Sequence, residues 1–138
     1  MTGNTSPPRA VGEAYLDFLF TARKRAHEMD MLNVRKANRI AVDLYKIARE
    51  LKASEEGRNE LRRLMEFSDP VVRALAAECS LGFDESRALA VLREVESSDN
   101  SYARSVASFN LVYWRTEHGL PMFEKPESPT GIPIGRRR

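Results

Sequence analysis

The stretch SDPVVRALAAECSLG, residues 68 to 82, decides how the rest of the chain is read. Asp69 suits an N-cap, because its carboxylate can accept from backbone N–H groups that a first helical turn leaves without partners. Pro70 follows at the first helical position, where a missing N–H costs nothing. Val72, Leu75, Ala76, Cys79 and Phe83 then recur at helical spacing and define one apolar face. The design returns at a shift of 31: Asn100 aligns with Asp69, Ala103 with Val72, Arg104 with Arg73, Val106 with Leu75, and Ala107 with Ala76. The helices between them correspond too, since Leu61-x-x-Leu64 resembles Leu89-x-x-Leu92 in spacing. Val34-Arg35 is a candidate third, degenerate copy. A recurring unit of two helices predicts a solenoid, because one hairpin cannot bury its own face and neighbours must stack.

Outward from this stretch, the other segments also read as helices. A first helix is expected from Ala10 to Met29, with Tyr15, Leu19, Ala22, Ala26 and Met29 as its stripe and Leu16 broadening it. Phe18 and Phe20 fall to either side. A second is expected from Met31 to Lys52, with Val34, Ala37, Ile40, Ala41, Leu44, Ile47, Ala48 and Leu51 inward. A short third helix turns Leu61, Leu64, Met65 and Phe67 inward and Arg62-Arg63 outward. Asp84 is expected to cap a fifth helix that buries Ala88, Leu89, Leu92 and Val95. A sixth, near Tyr102 to Thr116, carries Ala103, Val106, Ala107, Asn110 and Trp114 along one side and stops at His118-Gly119. No segment alternates like a strand, and no Asn-Gly or Asp-Gly marks a hairpin. The predicted fold is all-α, about six helices without a sheet.

The pattern Asp-Pro-x-Val-Arg-x-x-Ala-Ala, Asp69 to Ala77, resembles HEAT-type repeats. The order of features from residue 12 to residue 126 is similar to that of small bacterial HEAT-like proteins known only as a domain of unknown function. Those features are Asn38-Arg39 leading through Glu50 to Ala53, then Leu61-x-x-Leu64, the Asp69 block, and Phe123-Glu-Lys-Pro126. Pro121-Met122 departs from the pattern, and the Gly/Pro/Arg tail lies outside it. The resemblance implies a right-handed α-α superhelix and assigns no catalytic residue.

A length of 138 residues fits one core. Residues 1–9 are expected to be a disordered lead-in, residues 10–123 the domain, and residues 124–138 a Pro/Gly/Arg-rich tail. The tail holds Lys125 and Arg136 to Arg138 against Glu124 and Glu127, so it accounts for the whole formal charge of +2 and leaves the body neutral. No apolar run approaches the roughly 18 residues that span a bilayer. The opening MTGNTSPPRAVGE lacks a charged region followed by an apolar one, and Cys79 alone cannot build a disulfide framework. A cytoplasmic, bacterial protein without membrane contact is the expectation.

No zinc spacing, P-loop, GxGxxG or GxSxG occurs, and His27 and His118 have no carboxylate or thiol at ligand spacing. Cys79 lies on the face of Leu75 and Ala76 and reads as a small buried hydrophobe. No catalytic, cofactor-binding or metal-binding residue is therefore expected, and the chain is not read as an enzyme. Asp69, Pro70, Arg73, Arg104 and Asn110 read as structural residues of the repeat: the arginines tie neighbouring hairpins, and Asn110 holds an adjacent turn.

Charge is uneven along the body. Residues 33–53 carry Arg35, Lys36, Arg39, Lys46, Arg49 and Lys52 against Asp43 and Glu50, whereas residues 84–99 carry Arg87 and Arg93 against five carboxylates. The expected function is a non-catalytic protein-interaction module, for instance an immunity or antitoxin-like binder of a bacterial partner protein. Its candidate contacts are Arg35, Lys36, Arg39, Lys46, Arg62 and Arg63. The alternative is nucleic-acid binding through the basic second-helix face of Arg35, Lys36 and Arg39, together with Arg62, Arg63 and the Arg136–Arg138 tail. A homodimer through Tyr15, Phe18 and Phe20 of the first helix is a third possibility.

Overall fold

The computed structural model describes residues 9–119, with side chains as far as Trp114. The lead-in before Arg9, the Phe123-Glu-Lys-Pro126 element, the docking expected of Met122, Phe123 and Ile132, and the Arg136–Arg138 tail lie outside these residues. Six helices are present: α1 Val11–Asp30, α2 Val34–Lys52, α3 Glu55–Leu64, α4 Pro70–Ser80, α5 Glu85–Val95 and α6 Ser101–Gly119. Among the described residues there is no strand.

Each boundary has a local cause. Asp69 accepts from the Val71 amide at 2.9 Å, and Asn100 accepts from the Ala103 amide at 2.9 Å, so both repeat caps are made. Ser54 accepts from the Gly57 amide at 3.0 Å and starts α3. Gly57 is required there for a second reason. A Cβ at this position would lie 1.9 Å from the Leu51 carbonyl oxygen, so only glycine lets α3 press against the end of α2.

The α1–α2 junction ends in a Schellman arrangement. The Asn33 amide bonds to the Glu28 carbonyl at 2.8 Å and the Leu32 amide to the Met29 carbonyl at 3.0 Å. Leu32 occupies the left-handed position with φ 59°, where glycine is usual. The turn delays α2 to Val34, three residues beyond the expected start, and leaves Val34 exposed.

The α1–α2 hairpin is antiparallel. Arg9 at its open end, expected in the lead-in, bonds instead to Glu50 at 2.7 Å and Asp17 at 2.8 Å, and Lys36 meets Glu28 at 3.4 Å near the turn. Helix α4 is the centre: it packs against α1, α3, α5 and α6. Eight of its eleven residues are buried, so the single stripe expected from its sequence widens to almost the whole circumference. Ala74, Ala76 and Ala77 are all fully buried, and their small side chains let neighbouring helices approach on several sides. Leu44, Leu61, Leu64, Leu75 and Leu92 fill the spaces between, and truncating any of them to alanine would cost about 2–5 kcal/mol.

Helix α1 buries a broader face than its expected stripe. Leu19 and Ala22 are inside as expected, with Tyr15 and Ala26 partly buried beside them, but Ala14, Phe18, Thr21 and Glu28 are buried too, whereas Leu16 is exposed. Phe18 is fully buried, so it belongs to the core and is unavailable to a dimer interface. The reason is topological: α1 contacts α2, α3, α4 and α6, and neighbours on several sides bring the Phe18 ring inside.

Candidate functional site

Alternation of buried and exposed residues along α2 builds the first surface. Ala37, Leu44, Ala48 and Leu51 face the core, and the helical period places Arg35, Arg39, Lys46 and Arg49 on the opposite side. All four are exposed, and among the described residues none forms an ion pair or a side-chain hydrogen bond. Val42 lies among them and is also exposed.

The remaining candidate cations are engaged within the chain. Lys36 pairs with Glu28. Arg62 bonds to Asp84 at 2.9 Å and Asn59 at 2.5 Å, lies 3.4 Å from Glu55, and covers the Phe83 ring at 5.1 Å. The Asp84 hydrogen bond is the main reason its pKa rises. Arg62 is thus half-buried and clamps α3 to the start of α5, rather than pointing outward. Asp84 consequently makes no side-chain cap bond, because its carboxylate is used by Arg62. Arg63 pairs with Glu60 at 2.7 Å and lies over Tyr15 at 5.0 Å.

The acidic end is consumed in the same way. Glu94 pairs with Arg73, Glu85 accepts from the Trp114 indole at 2.8 Å, and Glu96 accepts from Ser108 at 3.3 Å. Charge asymmetry along the sequence therefore becomes asymmetry of availability in the fold. The carboxylates of α5 are largely satisfied internally, while the α2 cations are not.

The two repeat arginines act alike. Arg73 donates to the Met65 carbonyl at 3.1 Å and Arg104 to the Ser98 carbonyl at 2.9 Å, each reaching back to the turn before its own helix. Asn110 does more than hold an adjacent turn: its amide donates to Val106 in the preceding turn of α6, at 2.8 Å, and its side chain also reaches Glu78 of α4. A wide hollow of about 510 Å³ beside Arg73 contains groups already paired, including Arg87 with Glu66 at 3.5 Å.

A second surface is a cleft of about 220 Å³ between α1, α2, α4 and α6. Arg25 comes from α1, Tyr45 from α2, Leu75 and Glu78 from α4, and Tyr102 and Phe109 from α6. The Tyr45 hydroxyl donates to Glu78 at 2.5 Å. Burial raises the Glu78 pKa, opposed by hydrogen bonds from Tyr45 and Asn110 and by the charges of Arg25 and Lys52. Burial, followed by the charge of Glu78, lifts Tyr45 well above the ordinary phenol value. Burial also pushes Tyr102 up to about 12. Arg25 sits 5.5 Å from the Tyr102 ring centroid, yet its buried Nε and the buried Tyr102 hydroxyl have no hydrogen-bond partner.

None of Arg25, Tyr45, Glu78 or Tyr102 stands out in the sequence as a site residue. One signal was present. Glu78 is the lone acid of a largely apolar helix, flanked by Ala77 and Cys79. Cys79 itself is buried and has its pKa raised by burial, and the described residues contain no group of side chains able to hold a metal. No helix among the described residues is long and apolar enough to cross a membrane. Comparisons with protein-family models, curated proteins and solved structures return no match, so the resemblance to HEAT-like repeats rests on its own residues.

Proposed function

We propose that this chain is a non-catalytic protein-interaction module of the HEAT-like, right-handed superhelical kind, and that α2 presents its docking face to an acidic partner protein. The observation that supports this reading is the contrast between Arg62, Arg63 and Arg73, each engaged within the chain, and Arg35, Arg39, Lys46 and Arg49, which are not. Unpaired surface cations keep their full capacity for a partner, and they steer encounter more than they set affinity. An immunity-type role against an acidic protein target is one form this function takes.

Nucleic-acid binding is the weaker reading. It counted Arg62 and Arg63 among the phosphate contacts, and both are committed elsewhere. What remains among the described residues is one stripe on one helix, a small footprint for a duplex.

The test is affinity capture from extracts of the source cells, comparing the natural chain with an Arg35→Glu, Arg39→Glu, Arg49→Glu variant. A protein retained by the natural chain and lost from the variant supports the reading. Identical retained sets, or a salt-sensitive shift of oligonucleotides abolished by the variant, would sink it.

A further inference from the structure

The cleft between α1, α2, α4 and α6 holds two unmet donors. Native interiors rarely leave buried polar groups without partners, and each exception asks for a cause. Arg25 Nε and the Tyr102 hydroxyl are both buried, and both lack an acceptor. The two side chains lie against one another, with the guanidinium carbon 5.5 Å from the ring centroid. Arg25 has no carboxylate within ion-pairing distance among the described residues, although Glu78 is close enough to feel its charge. A half-buried guanidinium without a counter-ion is costly, and an incoming oxyanion would relieve that cost. Apolar side chains line the same space: Leu75 on α4, and Val106 and Phe109 on the face of α6 that also carries Tyr102. Ser105 and Asn38 stand at its edge.

We propose that this cleft binds a carboxylate carried on a small apolar body, with Arg25 and Tyr102 donating to the carboxylate and Leu75, Val106 and Phe109 packing the rest. A volume of about 220 Å³ matches a molecule of the size of a branched or aromatic short-chain acid. The same chemistry is offered by a free acid or by the C-terminal residue of a peptide. Tyr45 keeps Glu78 hydrogen-bonded, so that carboxyl does not compete for Arg25. Burial also favours its uncharged form and softens its repulsion of an arriving anion.

Calorimetric titration of the full chain tests this with 4-methylpentanoate and 3-phenylpropanoate, the matching primary amides, and a peptide ending in leucine as free acid or amide. The acids are expected to bind saturably, and the amides about tenfold more weakly, the difference of one charge-assisted hydrogen bond. Binding by the free acids identifies a small-molecule site. Binding by the peptide acid alone identifies a chain-end anchor of the same chemistry. Tyr102→Phe separates recognition from architecture: it should weaken the acids about tenfold without lowering the melting temperature, since the hydroxyl it removes stabilises nothing in the free protein. Arg25→Met should abolish the preference for acid over amide. The proposal is overturned if neither acid nor peptide binds at millimolar concentration, if amides bind as well as acids, or if Tyr102→Phe binds like the natural chain.

Discussion

Tyr45 on α2 donates a hydrogen bond to Glu78 on α4, joining two helices that otherwise touch little. Glu78 has its pKa raised in the folded protein, chiefly by burial, from an ordinary value of 4.5. A carboxyl with a raised folded pKa binds more protons folded than unfolded. Its contribution is therefore complete below pH 4.5 and is lost as pH rises through the higher folded value. Glu78→Gln should remove that part of the slope, so denaturant unfolding of the two chains should converge at low pH and diverge toward neutrality. Parallel stability curves across the whole range would refute the assignment.

Gly57 stands where α3 meets the end of α2. Gly57→Ala should destabilise the protein by about 1–3 kcal/mol, because the new Cβ meets a backbone carbonyl that cannot rotate away. Chemical denaturation measures this directly. A neutral effect would mean that α3 shifts at no cost.

Leu32 predicts the opposite sign. Its left-handed backbone costs a non-glycine residue about 1–2 kcal/mol, and its side chain is exposed and packs against nothing that would offset this. Leu32→Gly should raise the midpoint of denaturation. A fall would show that the leucine contributes a contact worth more than the strain.

Cys79 should resist alkylation in the native state. Burial raises its pKa and covers its sulfur, and both suppress the thiolate that reacts. Labelling with iodoacetamide, followed by mass, should track global unfolding across a denaturant series. Rapid labelling without denaturant would contradict this.

Helix identity was legible because it depends on local chemistry. The Asp69 and Asn100 caps, Pro70 and the α2 apolar spacing all act within a few residues of themselves. What could not be read depends on partners distant in the chain. Phe18 and Leu16 are both apolar, and only the presence of α3 and α4 decides that the ring is inside and the leucine outside. Arg62 looked like Arg39 until Asp84, 22 residues away, claimed it. The cleft was least legible of all. Arg25, Tyr45, Glu78 and Tyr102 come from four helices with no shared motif, and the two unmet donors among them, on Arg25 and Tyr102, do not exist until those helices meet.

The position of α4 also bears on how the protein breathes. A helix packed against four others cannot open by itself, since releasing it uncovers α1, α3, α5 and α6 together. Its amides can exchange only through the largest openings the molecule makes. The ends of α1 and α6 carry no such obligation and can fray singly. A cleft whose floor is Leu75 and Glu78 of α4 thus has a base that four helices hold in place, and its walls come from α1, α2 and α6. Any occupant would tie α6 to that base, and slower exchange in α6 would be the trace it left.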